Sequence, residues 1–143
     1  MKPIKFKPTE IKTIQFAELQ PPTDLKKQKV KTELRLGFDL NTRTIAVFAK
    51  FSFLEDEKLT LLLEVMCAYQ VKRTSWEENI LDGEIVFTAA ILRHFAMLTV
   101  GTARGILHVR AEQTAHNRTI LPTINLQKMI QEELRLPIPK KDK

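Results

Sequence analysis

Residues 32–53 read TELRLGFDLNTRTIAVFAKFSF, two alternating runs that meet at a polar break. In the first run Leu34, Leu36, Phe38 and Leu40 share one parity, and Glu33, Arg35, Gly37 and Asp39 share the other. Successive side chains of a strand point to opposite faces, so the pattern is a strand with one dry and one wet face. The alternation resumes after the break, with Ile45, Val47, Ala49, Phe51 and Phe53 on one parity. Asn41-Thr42-Arg43 is a short link with a turn former at its head. Thr32–Leu40 and Thr44–Phe53 therefore read as an antiparallel hairpin.

Working outward, Leu54-Glu55-Asp56-Glu57-Lys58 is a second polar link. It leads into a strand over Leu59–Lys72, whose odd positions carry Leu61, Leu63, Val65, Cys67, Tyr69 and Val71. Short sequential links imply an antiparallel meander. Upstream, Ile11–Leu19 reads as a further strand. The stretch from Gln20 to Lys31 holds Pro21-Pro22, which forces an extended path, so a crossover rather than a tight hairpin is expected there.

Downstream, Thr74 to Glu84 reads as a polar connector in which Asp82-Gly83 precedes a helix. From Ile85 the apolar residues recur at helical spacing. Ile85, Ala89, Leu92, Ala96, Thr99 and Ala103 line one face, with Val86, Ala90, Phe95, Leu98 and Ile106 beside them. Phe87, Ile91, Met97 and Val100 fill much of the remainder, so the first half of this helix is apolar nearly all round. Such a helix must be covered on every side. One sheet covers one side, and a second copy of the chain is the economical cover for the rest. Phe87, Ile91, Phe95, Leu98 and Gly101 are the expected oligomer contacts. Val109 to Ile124 reads as a long loop, and Asn125 as the N-cap of a short helix over Leu126–Leu134. The fold class is α+β: a four-stranded antiparallel sheet with a crossover after its first strand, a long helix on one face and a short C-terminal helix. Residues 1–143 form a single domain, with 1–10 and 137–143 expected to be flexible.

Composition narrows the function. Of 143 residues, 43% are hydrophobic and 28% charged, enough for a core without a disulfide or metal staple. Cys67 is the one cysteine, which excludes an internal disulfide and multi-cysteine zinc sites and fits a reducing, cytoplasmic setting. No run is long enough for a membrane span, and the lysine- and proline-broken N-terminus lacks the apolar core of a signal peptide. The formal charge is +6, but the lysines are scattered and no aromatic residues interleave with them. Nucleic acid is therefore a weak expectation, and an acidic protein partner is compatible with the charge. His94, His108 and His116 have no metal-ligand spacing. The carboxylate pairs Asp56/Glu57, Glu77/Glu78 and Glu132/Glu133 sit on connectors or termini, where nothing raises a pKa for acid catalysis. No nucleophile elbow, zinc-protease or phosphate-loop motif occurs. The sequence reads as a protein without enzymatic activity, metal or cofactor.

Two stretches resemble the SecB protein-export chaperones. Leu61-Leu62-Leu63-Glu64-Val65-Met66-Cys67-Ala68-Tyr69-Gln70-Val71 resembles the family's fourth strand, an apolar triplet before Glu-Val with an aromatic a few residues on. Between Leu92 and Ile130, Phe95-Ala96 and Thr99 to Arg104 resemble the long helix. Ile120-Leu121-Pro122-Thr123-Ile124-Asn125-Leu126 resembles the Leu-Ala-Pro-Val-Asn-Phe element before the last helix, and Ile11 to Phe16 faintly resembles the first strand. The resemblance implies a cytoplasmic holdase that assembles as a dimer or tetramer with its long helices inside. It also implies unfolded or pre-secretory polypeptide clients held in apolar grooves. Leu36, Phe38, Val47, Phe51, Tyr69, Leu121, Ile124 and Met129 are the groove candidates by position. The departures matter: His94 stands where the family has a proline or its neighbour, the chain is basic where the family is acidic, and Pro137 to Lys143 lacks the acidic extension. Docking to a SecA-type motor is thus the weaker expectation. The alternative is a SecB-fold interaction protein devoted to one partner, such as an antitoxin.

Overall fold

A computed structural model of the chain describes residues 3–139. Four strands, β1 (Phe6–Glu18), β2 (Gln28–Asp39), β3 (Thr44–Glu55) and β4 (Lys58–Val71), form one antiparallel sheet in the order β1-β4-β3-β2. The crossover after the first strand is present, carrying the chain from one edge of the sheet to the other. This is the topology that the SecB resemblance implies. The register of β2 on β3 runs unbroken from Gln28 opposite Glu55 to Asp39 opposite Thr44. β1, by contrast, shifts register twice against β4 and carries Pro8. β1 starts at Phe6, five residues ahead of the expected Ile11. Phe6, Lys7, Pro8 and Glu10, expected to be flexible, are paired with β4. Residues 140–143 of the expected flexible tail lie outside the described residues.

Each hairpin has a local cause. Between β2 and β3 the Asp39 carboxylate accepts hydrogen bonds from the Asn41 and Thr42 N–H groups, an Asx turn, and Arg43 takes a left-handed conformation (φ 57°). Between β3 and β4 the link shrinks to Asp56-Glu57, both with positive φ. This is the two-residue geometry that matches strand twist.

After β4 the structure departs from the sequence reading. The expected polar connector contains a short helix, α1 (Arg73–Glu78), and a hairpin of β5 (Ile80–Leu81) and β6 (Glu84–Phe87). Asp82-Gly83 is the turn of that hairpin (φ 52° and 76°) and not a helix start. Ile85, Val86 and Phe87 are therefore strand residues. The long helix α2 (Ala89–Ala111) begins four residues later than expected, where the Thr88 hydroxyl accepts the Ile91 N–H as an N-cap. It also runs past Val109, where a loop was expected. The last helix, α3 (Leu126–Met129), is one turn long instead of reaching Leu134. Leu134–Pro137 form β7, paired with β6.

The core lies between the odd face of β3 and β4 and the inner side of α2. Ile45, Val47, Ala49, Phe51 and Phe53 of β3 are fully buried, as are Leu61, Leu63 and Val65 of β4. Phe95 of α2 stacks on Tyr69 at 5.0 Å between ring centroids and meets Phe6 edge-on at 4.7 Å. The Tyr69 hydroxyl shares a 2.9 Å hydrogen bond with the Thr99 hydroxyl, which can also donate to the Phe95 carbonyl. Burial raises the Tyr69 phenol above its ordinary pKa. Trp76 of α1 is a core residue, packed edge-on against Phe87.

The crossover is pinned by one side chain. The Glu55 carboxylate accepts from the Thr23 hydroxyl (2.6 Å), the Thr23 N–H (3.0 Å) and the Asp24 N–H (2.6 Å). The Thr23 hydroxyl, then the two backbone N–H groups, hold its pKa below the ordinary carboxylate value. Stabilisation from such a group is present above the unfolded pKa of ~4.3 and is lost as pH falls through the lower folded value. Glu55→Gln should lower the thermal midpoint at pH 7, and the gap from the native chain should close as pH drops below 4. A gap that persists unchanged at pH 2.5 would show that charge at Glu55 is not what holds the crossover. Phe95→Ala, which empties a fully buried aromatic site, should cost about 3–5 kcal/mol in urea unfolding.

Candidate functional site

β2 is an edge strand, so the outer row of its N–H and C=O groups has no strand beside it among the described residues. Its even residues Leu34 and Leu36 turn half-buried side chains toward the helix side of the sheet, while Lys29, Lys31, Glu33 and Arg35 face solvent. A long, regular edge without proline or bulge can accept a further strand, and solvent-face charges of both signs keep it from doing so indiscriminately. The β1 edge is blunted by Pro8 and by its register shifts.

Beside this edge lies a cleft of about 550 Å³ lined by Leu34, Leu36, Leu92 of α2 and the segment from Lys128 to Leu134. The far wall is a strap of chain that leaves the α2 C-terminus, runs back along the helix and pairs with β6 as β7. Two arginines on α2 hold it. The Arg104 Nε donates to the Leu121 carbonyl and its Nη2 to the Pro122 carbonyl, both at 3.0 Å. The Arg93 Nη1 donates to the Ile130 carbonyl at 2.9 Å. Between these anchors Asn125 caps α3, its side chain accepting the Lys128 N–H. On the other side of the strap is a second cleft of about 570 Å³, formed by Ala90, Arg93, His94 and Met97 of α2 with Thr123 to Gln127.

The groove candidates divide sharply. Leu36 and Met129 line the first cleft and Ile124 lines the second. Phe38 is half-buried and stacks on Phe87 at 5.8 Å. Val47, Phe51, Tyr69 and Leu121 are buried in the interior of the chain's own fold. Of the expected oligomer contacts, Phe87 and Phe95 are also fully buried, Ile91 is half-buried, and Leu98 and Gly101 lie on the outer side of α2. Leu34, Leu92, Ile130 and Leu134 complete the first cleft and were not singled out from the sequence. The signal that could have found them is Arg93 and Arg104, set among apolar residues of α2: a guanidinium so placed seeks carbonyls, and the carbonyls locate the strap.

Electrostatically the outer face of the sheet is mixed. Glu33 on β2 opposes Lys50 on β3, Lys50 opposes Glu64 on β4, and Arg35 lies over the Phe48 ring at 4.0 Å. Nothing there amounts to an acidic docking surface. His94 and His108 are exposed and His116 is buried. Among the described residues no group of His, Cys, Asp and Glu could hold a metal ion, and no helix is long and apolar enough to cross a membrane.

The sheet order, the crossover, the long helix and the short C-terminal helix match the SecB-like topology that the resemblance implies. The chain is similar to the Mycobacterium tuberculosis SecB-like chaperone Rv1957, solved in complex with a ChAD peptide from the Rv1956 HigA1 antitoxin. The two share 11% identity over 84% of this chain and 91% of that one, with a TM-score of 0.49. A scan against protein-family models and a search of the curated proteins match nothing. What this chain binds is therefore read from its own surface.

The strap depends on its pins. Arg104→Ala should raise amide exchange across residues 120–131 by tenfold or more, since lost hydrogen bonds to a charged donor are worth ~1.5–3 kcal/mol, while exchange in β3 stays unchanged.

Proposed function

We propose that the protein is a non-catalytic, chaperone-like binding protein that takes an extended apolar segment of a dedicated protein partner. The segment adds to the free edge of β2 and drops alternate side chains into the cleft between β2, α2 and the strap. The observation that carries this reading is the coincidence of an unbulged, unpaired edge with an apolar floor directly beside it. Strand addition supplies backbone hydrogen bonds whatever the sequence, and the cleft supplies selectivity for every second residue. Lys128, Glu132 and Glu133 on the cleft wall add a polar rim of both signs.

The geometry favours one partner over general capture of unfolded chains. The largest apolar side chains are committed to the core, and the two clefts are separated by the pinned strap instead of merging into one groove. Capture of many clients is the second reading. Met97 supports it, being 52% exposed on the second cleft and flexible enough to repack against different sequences.

The reading includes assembly with a second copy. The outer stripe of α2 runs through Ala90, His94, Met97, Leu98, Gly101, Gly105 and Val109. It contains no carboxylate, lysine or arginine, in a chain where 28% of residues are charged. Both glycines face open space, so another helix can approach closely. A charged partner would find nothing to complement there, whereas the same stripe on a second copy would. The lone buried Cys67 fits a reducing cytoplasm.

The test is selection of displayed twelve-residue peptides on the full chain, followed by affinity measurement with Leu36→Lys and Met129→Glu. Selected peptides should share one alternating apolar pattern and lose at least tenfold in affinity to each variant, with the melting temperature little changed. Aggregation suppression of unrelated unfolded proteins, with no shared pattern among selected peptides, would replace the dedicated partner by general capture. Peptides indifferent to both substitutions would remove the β2 cleft as the site.

A further inference from the structure

At the end of the sheet opposite the crossover, three segments bring their cations into one recess. It is lined by Lys5 and Lys7 at the start of β1, Arg43 in the β2–β3 turn, and Lys72 and Arg73 where β4 passes into α1. Backbone contacts fix this convergence. The Lys72 N–H donates to the Lys5 carbonyl, the Val71 N–H to the Arg43 carbonyl, and the Lys5 N–H to the Ser75 hydroxyl, at 2.8–2.9 Å. The half-buried Arg43 is held at φ 57°, a conformation disfavoured for a residue with a Cβ. Its Nε donates to the Val71 carbonyl at 3.1 Å, and its outer guanidinium nitrogens have no hydrogen-bond partner among the described residues. Among the described residues no carboxylate lines the recess and none of these five cations forms an ion pair. Like charges that line one recess repel one another, and a ligand that neutralises them is favoured accordingly.

We infer that this recess binds a compact phosphoryl polyanion, a condensed phosphate chain either free or at the end of a nucleotide. The cavity measures about 350 Å³. In an extended acidic peptide only every second side chain points the same way, about 6.6 Å apart, so a recess of this size meets one or two carboxylates. Single-stranded nucleic acid needs a long basic track with stacking aromatics. Here Phe6 is the one aromatic lining residue, and its ring is engaged with Tyr69, His94 and Phe95. A triphosphate chain concentrates several charges in one small volume, and its oxygens suit both the forked guanidinium and the point-charge ammonium groups. The site lies away from the β2 cleft and does not depend on it.

The test is calorimetric titration of the full chain with inorganic tripolyphosphate, without magnesium, at 50 and 300 mM salt. ATP, a glutamate-rich decapeptide and a single-stranded oligonucleotide are titrated alongside. One saturable tripolyphosphate site, weakened by salt, is expected. Lys72→Gln with Arg73→Gln, both at exposed positions, should weaken it at least tenfold. Arg43→Gln should do the same in a preparation whose circular dichroism is unchanged. Lys26→Gln with Lys27→Gln, in the crossover, should leave it intact. Tighter binding of ATP assigns the site to a nucleotide, and equal binding assigns it to the phosphate chain alone. Absence of saturable binding, equal loss in the crossover variant, or binding of only the peptide or only the oligonucleotide would overturn the assignment.

Discussion

The inner faces of β3 and β4 must be kept from water, and a single helix does most of that work. The odd-numbered side chains from Ile45 to Phe53 and from Leu61 to Val71 are buried almost completely beneath α2. Each full burial of a large apolar side chain is worth ~1.5–3 kcal/mol, so this layer dominates the stability of the fold. The rest of the structure is arranged around the limited width of one helix. β5, β6 and β7 close the end of the layer at Phe87. The strap covers a flank at Leu121, and the aromatic cluster of Phe6, Tyr69 and Phe95 seals the side next to β1. Where the covering stops, at β2 and along the outer side of α2, apolar surface remains available for a partner.

Much of this was legible in the sequence, for specific reasons. The alternation of residues 32–53 is a strand signal that a helix cannot imitate, so the hairpin, the meander and the crossover could be read directly. The failures have equally specific causes. Asp82-Gly83 is a strong two-residue hairpin turn, but the apolar run after it also fits a helix, and Ile85, Val86 and Phe87 satisfy both periods. The choice depends on pairing with Leu134–Leu136, fifty residues further on, which no local pattern contains. For the same reason the last helix stops short of its apolar spacing: Leu134–Pro137 pair with β6 instead of extending α3. The apolar-all-round reading of the long helix partly rested on residues that belong to a strand. The outer stripe of α2 keeps the argument alive with different residues.

The candidate site was less legible than the fold. Apolar residues at strand spacing look alike whether they face the interior or a cleft, so Val47, Phe51 and Tyr69 were indistinguishable from Leu36 in one dimension. What separates them is position in the sheet: β3 and β4 are central and β2 is an edge. Exposure is set by strand order, and strand order is set by the crossover. The basic recess was hidden differently. Its cations come from positions 5 to 73 and look scattered along the chain, and only the pairing of β1 with β4 and the returning β2–β3 turn gather them.

The pairing of Phe6 with Val71 has a consequence for how the chain comes to be folded. Of the large sheet's strands β1 leaves the ribosome before the others, yet its strand partner among the described residues is β4, the last of them to be made. β2, β3 and β4 can zip through short hairpin loops on the microsecond scale, while β1 must wait for a long loop to close. Until then Phe6 and Phe16 have no sheet to lie on, and the β4 edge stands open. The nascent chain thus passes through an interval in which it has the stickiness it is proposed to manage in others. Pro8 and the register shifts of β1 limit what that first strand can join in the meantime.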